Sequence, residues 1–499
     1  MAIFTVKNLL KRLRKLKIAF AVSPARAAGG TLILFPYRPF ACGLTGLIAF
    51  VPPAVNEGTA DEIKRIIQSL EVISVHRFST SSPATAQTCY GGTGFLHELA
   101  DKVYQLKSFA GFDLVYHNAG LQQKLSDYCS LLSDFINEET RYIDLNWVRF
   151  SSADLEEINN RLILLSDIKW GLASEFLKNI RKVNEISAVF PRHNQHTLLE
   201  FYRLVLVLNN LDQLEVRGRD SSGISTAFYI SDSNYRKFLE NIRKHELYRN
   251  FTDRKNFGNL LSGSIGITRY TGYVSLVFIH KTAAVIGRLG DNVNRLKNQI
   301  SRDRIFFEAC RLPKSHTSTI AHTRWASVGA ITEENCHPVD NEINTGIAER
   351  VFPTYGKRGK IQVVLNGDID NYQKIKESLQ HKHNFVIDDQ VTTDTKVIPL
   401  QIERFLLEGY DLKESFRLAV NSFEGSHAIA MHSDLAPEKL FLALRGSGQA
   451  IFVGLAPDSY IPASEIYGFV EQTPHYLRLE GETAGDGAPP LGEIMVLDQ

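Results

Sequence analysis

The spacing of apolar residues divides the chain into two textures. Up to about residue 201 the period is helical. Leu96, Leu99, Val103 and Leu106 share one face, as do Leu121, Leu125, Tyr128, Leu132 and Phe135. Ser151-x-x-Asp154 has the form of a capping box opening a long helix with Leu155, Ile158, Leu162, Leu165, Ile168, Leu172 and Phe176 on its buried stripe. Ser79 to Thr88, rich in Ser, Thr, Ala and Pro, reads as a loop. After Arg217 short runs of Val, Ile, Leu and Phe alternate with Gly, Asp, Asn or Pro, predicting strands over 224–230, 273–280, 361–365, 428–432, 440–444, 450–454, 476–479 and 494–497. Helices are predicted over 285–300, 372–379 and 397–407. Strands in runs with a few helices between them predict a layered α+β domain with largely antiparallel sheets.

Composition changes this picture little. The 499 residues allow two to four domains, and 56 Lys+Arg against 55 Asp+Glu give a balanced surface with no field that favours nucleic acid. No apolar run is long enough for a transmembrane segment. Five scattered cysteines without a CxxC pair suit a reducing, cytoplasmic compartment better than a disulfide framework. No ligand cluster suggests a metal, and no cofactor motif is present. The first fifty-three residues hold no Asp or Glu. There Leu9, Leu10, Leu13, Leu16 and Phe20, among Lys and Arg, form a basic amphipathic stretch, either a leader or a solvated surface helix.

The candidate chemistry lies in separated stretches: Cys42-Gly43-Leu44-Thr45-Gly46, Arg217-Gly218-Arg219-Asp220-Ser221-Ser222-Gly223, His322-Thr323-Arg324-Trp325-Ala326-Ser327, His337-Pro338, Asn366-Gly367 and Thr393-Asp394-Thr395. Each has an ordinary structural reading: a buried thiol, a surface salt bridge, a hairpin turn, a helix cap. Together they read differently. A guanidinium (Arg324) that forks onto a carboxylate and a carboxylate (Asp394) that holds an ammonium recognise an α-amino acid. The Asn366 amide and the Gly367 N–H supply two donors for an oxyanion, and Cys42 supplies a nucleophile.

In this order the motifs resemble the class II glutamine amidotransferases, which are N-terminal-nucleophile hydrolases. The His-Thr-Arg-Trp and His-Pro forms are most similar to the glutaminase half of glucosamine-6-phosphate synthase, the glutamine–fructose-6-phosphate aminotransferase. The resemblance implies a four-layer αββα fold interrupted by a large helical insertion. Residues 1–41 would be a basic leader or propeptide, 42–52 the first strand with the nucleophile, 53–203 the insertion, and 204–499 the rest of the glutaminase domain. It implies catalytic roles for Cys42, Asn366 and Gly367, and L-glutamine contacts from Arg324, Trp325, Ser327, His337 and Asp394. Ammonia would go to fructose 6-phosphate through sugar-isomerase domains on a separate chain or a missing C-terminal half. The chain departs from that pattern at Val328 (usually histidine), Arg219 (usually tyrosine) and Thr45 (usually valine or phenylalanine). Two other classes fit less well: an unprocessed glutamine- or partner-binding pseudo-enzyme, and the glutaminase domain of a purine or glutamate synthase enzyme.

Overall fold

In a computed structural model, the described residues are 3–5, 42–50, parts of 61–78, 85–190, 193–258, 260–283, 288–342, 351–482 and 492–498. The basic stretch from Leu9 to Phe20 and the peptide before Cys42 lie outside them. The chain divides into two compact units, Met1–Val51 with Ala188–Gln499, and Pro52–Ser187.

The smaller unit is helical: Thr93–Leu106, Phe109–Tyr116, Ala119–Asn146, Ser152–Trp170 and Lys178–Ser187, with a π-helical turn at Gly171–Leu177. Side chains supply the missing partners of first-turn N–H groups. Ser108 caps the second helix, Asn118 the third, and Ser151 with Asp154 forms the capping box. The buried Arg161 guanidinium is satisfied by Thr93 Oγ1 (2.8 Å), the Ala86 carbonyl (2.7 Å) and Glu157 (2.8 Å). That arrangement ties the loop before the first helix to the fourth.

The larger unit carries the described strands: β1 (Ile3–Thr5), β2 (Gly43–Ala49), β3 (Ser221–Ile230), β4 (Ile265–Tyr270), β5 (Tyr273–Thr282), β6 (His316–Arg324), β7 (Val339–Asp340), β8 (Ile361–Gly367), β9 (His427–Ser433), β10 (Lys439–Arg445), β11 (Phe452–Ala456), β12 (Ser459–Ala463), β13 (Tyr476–Arg478) and β14 (Glu493–Asp498). They form a six-stranded sheet, β1-β14-β10-β9-β8-β7, and an eight-stranded sheet, β13-β11-β12-β2-β6-β3-β5-β4. Pairing is antiparallel except between β1 and β14. The α+β reading therefore holds.

Alternation along each strand decides which core a residue joins. On β8, β9 and β10, Val364, Ala428, Ala430, Leu440 and Leu442 enter a core shared with Leu44, Ile48 and Ile320 of the other sheet. Their neighbours Val363, Leu365, Ile429, Met431, Phe441 and Ala443 enter a second core with Ile375, Leu379, Leu400, Ile402 and Phe416. Those come from the helices Tyr372–His383, Val397–Leu407 and Leu412–Ser422. Strands buried on both faces cannot alternate in polarity, which is why 428–432 and 440–444 are nearly unbroken apolar runs. One polar cluster crosses the inter-sheet core. His432 meets Ser225 (2.9 Å), Ser318 (2.9 Å) and Gln362 (2.6 Å), so residues of both sheets share one set of hydrogen bonds.

The helix Gln195–Leu214 packs on β2 and β6, and Asp291–Ile300 on β3 and β5. The latter starts later than the apolar pattern suggests, because Gly290 stands before it at φ 88° and breaks the helical backbone. Among the described residues no helix is long and apolar enough to cross a membrane.

Candidate active site

Cys42 immediately precedes β2, whose antiparallel register with β6 sets Gly43 opposite Thr323. That register brings the end of β6 alongside Cys42. The Trp325 N–H donates to Cys42 Sγ at 3.3 Å, and the thiol donates to the Trp325 carbonyl at 3.4 Å. Two glycines permit this approach. A Cβ on Gly43 would lie 2.5 Å from Thr323 Oγ1, and one on Gly218 would lie 2.7 Å from the Thr323 carbonyl oxygen. Asp220 then holds the turn: its N–H donates to the Arg324 carbonyl (3.0 Å), and its carboxylate accepts from the Ala326 N–H (2.8 Å).

The other sheet supplies the amide. Asn366, near the end of β8, donates from Nδ2 to the Cys42 carbonyl at 2.9 Å, and its Oδ1 lies 3.0 Å from His322 Nε2. Gly367 follows at φ 84°, and a Cβ there would lie 2.1 Å from the Ser426 carbonyl oxygen. Only glycine meets both demands.

Asp394 opens the short 3-10 turn Asp394–Lys396, capped by Thr393. It is buried, and its Oδ2 accepts from the Ile369 N–H at 2.9 Å, joining it to the segment that follows Asn366-Gly367. Asn335 supports this loop from behind. Its Oδ1 accepts from the N–H groups of Thr392 (2.7 Å) and Thr393 (2.9 Å), and its Nδ2 donates to the Gln390 carbonyl (3.0 Å). Arg324 is buried, with its guanidinium on the carbonyls of Val328 and Ala330 (3.0 Å to the latter). The exposed Ser327 hydroxyl donates to Asp368 at 2.5 Å. His337 is buried beside His322, with ring centroids 4.4 Å apart, and its Nε2 meets Thr395 Oγ1 at 2.8 Å. Cys42, Trp325, Asn366 and Arg324 thus form one neighbourhood. Asp394, Ser327 and His337 reach it through Ile369, Asp368 and His322.

Burial sets the electrostatics. It pushes the Cys42 thiol up to about 11, opposed in part by the Trp325 N–H and by Arg324. The thiol is therefore protonated at neutral pH and needs a base to become a nucleophile. Burial also lifts the Asp394 carboxyl to about 6, opposed by the Ile369 N–H. It pushes His322 down to about 3 and His337 well below the usual imidazole range, so both rings are neutral.

The sequence alone gives no role to Asp220, His322, Asn335 or Asp368, although each stands inside or beside a motif. Among the described residues no cluster of His, Cys, Asp and Glu is disposed to hold a metal ion.

No family model matches the chain. It is 32% identical over 182 residues, 36% of its length, to a glutamine–fructose-6-phosphate aminotransferase (isomerizing) of Methanothermobacter thermautotrophicus, covering 26% of that protein. It is 29% identical over 239 residues, 47% of its length, to the protein of the same name from Idiomarina loihiensis, covering 34% of it. The chain thus spans about a quarter to a third of these curated relatives. A solved structure of glutamine phosphoribosylpyrophosphate amidotransferase from B. subtilis overlaps 55% of this chain and 43% of its own at 17% identity and a TM-score of 0.33, too loosely to bear on fold. Over a third to nearly half of its length, then, the chain is similar to glutamine–fructose-6-phosphate aminotransferases.

Proposed function

We propose that the chain is a class II glutamine amidotransferase domain that hydrolyses L-glutamine to glutamate and ammonia through a cysteinyl thioester. What carries the reading is the meeting of the thiol-bearing residue and a side-chain amide across two sheets: Asn366 Nδ2 stands 2.9 Å from the backbone carbonyl of Cys42. A carboxamide N carries two N–H groups, so one can hold the Cys42 backbone while the other faces an oxyanion. Gly367 N–H is the second donor.

In this reading Arg324 holds the glutamine α-carboxylate, exchanging loop carbonyls for it, and Asp394 holds the α-ammonium. Trp325, Ser327 and His337 line the pocket. The raised thiol calls for a nearby base, and the α-amine of Cys42, titrating near ~7.7–8.0 when free, fits that need. It takes the thiol proton as sulfur attacks the side-chain carbonyl carbon, and delivers it to the departing nitrogen, which leaves as ammonia. Water then cleaves the thioester to glutamate. A free α-amine requires that the Ala41–Cys42 bond be cut, so 1–41 is a leader in this reading. The fold is the four-layer αββα arrangement of N-terminal-nucleophile hydrolases, with the helical unit as an insertion. Ammonia is destined for fructose 6-phosphate on sugar-isomerase domains, as the relatives' names suggest.

The purified chain should release glutamate from glutamine, and Cys42→Ala should not; equal rates in both would sink the mechanism. Mass analysis of active protein should find Cys42 at the N-terminus, and an intact Met1 terminus would refute the amine as base. Formation of an amino sugar from added fructose 6-phosphate, once sugar-isomerase domains are supplied, tests the acceptor.

A further inference from the structure

We propose that His322 is a positioning residue: it holds the oxygen end of the Asn366 carboxamide while the Cys42 carbonyl takes the nitrogen end, and through His337 it braces that amide against the loop bearing Asp394. The inference rests on the glutaminase reading above.

The argument starts from a near-symmetry. The oxygen and nitrogen ends of a carboxamide have almost the same shape, so packing alone does not choose between them. On one side of Asn366 stands the Cys42 carbonyl, which only accepts. Turned around, Asn366 would set oxygen against oxygen there and offer no donor to an oxyanion. That carbonyl therefore fixes the nitrogen end of the amide, which leaves Oδ1 facing His322 Nε2 at 3.0 Å, where the Nε2–H tautomer donates to it and holds the amide in place. Asn366 and His322 are both buried, at 1% and 0% exposure, so bulk water cannot substitute for the imidazole.

The imidazole is itself held. The His337 ring lies 4.4 Å away, tilted by 38°. His337 Nε2 meets Thr395 Oγ1 at 2.8 Å and Thr393 Oγ1 at 3.4 Å, the residues on either side of Asp394. A continuous set of contacts thus runs Asn366–His322–His337–Thr395–Asp394, from the group that meets the developing negative charge to the group that meets the substrate ammonium. Neither ring is charged, so these contacts act through hydrogen bonds and ring packing rather than through a field.

The test is a mutant cycle on the purified full chain, with glutamate release measured against glutamine concentration and melting by circular dichroism as a fold control. Loss of one oxyanion donor typically costs about 100- to 1,000-fold in kcat, which is expected for Asn366→Ala. His322→Leu should lower kcat by about 10- to 100-fold with KM nearly unchanged. His322→Gln, whose amide reaches as far as Nε2, should recover most of the loss, whereas the shorter His322→Asn should not. The double variant His322→Leu/Asn366→Ala should be no slower than Asn366→Ala alone, since residues acting as one unit are not additive. A folded His322→Leu with unchanged kcat, or losses that multiply in the double variant, would overturn the proposal. If His322→Leu does not fold, the Gln and Asn variants decide by the same comparison. A wild-type chain that releases no glutamate would instead overturn the functional reading, and this inference with it.

Discussion

Replacing Asp394 by Asn should stabilise the protein at neutral pH while impairing glutamine binding. The carboxyl is 4% exposed and its pKa is lifted by burial to about 6, against 3.8 for an ordinary aspartate. About two units correspond to about 3 kcal/mol at ~1.36 kcal/mol per unit. The sign follows from proton binding. Between the two values the folded state holds the proton more tightly than the unfolded chain, so this group's contribution is fully present below pH 3.8 and is lost as pH rises through about 6. Asparagine stays neutral throughout and keeps an oxygen for the Ile369 N–H. Urea unfolding of the two proteins should show the variant ahead by up to about 3 kcal/mol at pH 7.5, shrinking towards zero near pH 4. Its KM for glutamine should rise at least tenfold at pH 7.5. A variant less stable than wild type at pH 7.5, or an advantage independent of pH, would show that burial of the charge is not what strains this site.

The same ionisation should govern activity, with KM rising as pH falls through about 6 and Asp394 is neutralised; a KM flat to pH 5 would refute its pairing with the ammonium. Gly367→Ala should abolish activity and lower the yield of folded protein, because the new methyl would meet the Ser426 carbonyl at a backbone φ of 84°; an active, stable variant would contradict that geometry. Asn335→Ala leaves the Thr392 and Thr393 N–H groups without their acceptor, the second of them buried, and should cost about 1–3 kcal/mol in urea unfolding and raise KM more than it lowers kcat.

Much of the larger unit is legible in sequence because its central strands are buried on both faces. Runs such as 428–432 and 440–444 are nearly all apolar, and they read as strands. β6 does not: His316–Arg324 is polar along most of its length, yet buried after its first residue. Its side chains find partners distant in the chain, as Ser318 does in His432, and no local pattern announces such partners. The candidate site divides in the same way. Cys42, Arg324, Asn366, Gly367 and Asp394 are readable because their chemistry resides in the side chain or the backbone turn. His322 and Asn335 are not, because their meaning lies in what they hold still: Asn366 in one case, the 390–393 loop in the other.

Cys42 stands at the start of a strand of one sheet and the amide that holds its backbone carbonyl on the other, so the apolar layer between the sheets works as a gauge block for the site. Trimming Leu442 or Ile320, both fully buried in that layer, would be read first as a loss of stability. It would also change the gap across which Cys42 and Asn366 meet, where a shift of about 1 Å is enough to cost roughly a hundredfold in rate. Residues with no polar atom and no contact with substrate thus become dimensional controls on the chemistry, and engineering of this core should be judged by turnover as well as by melting.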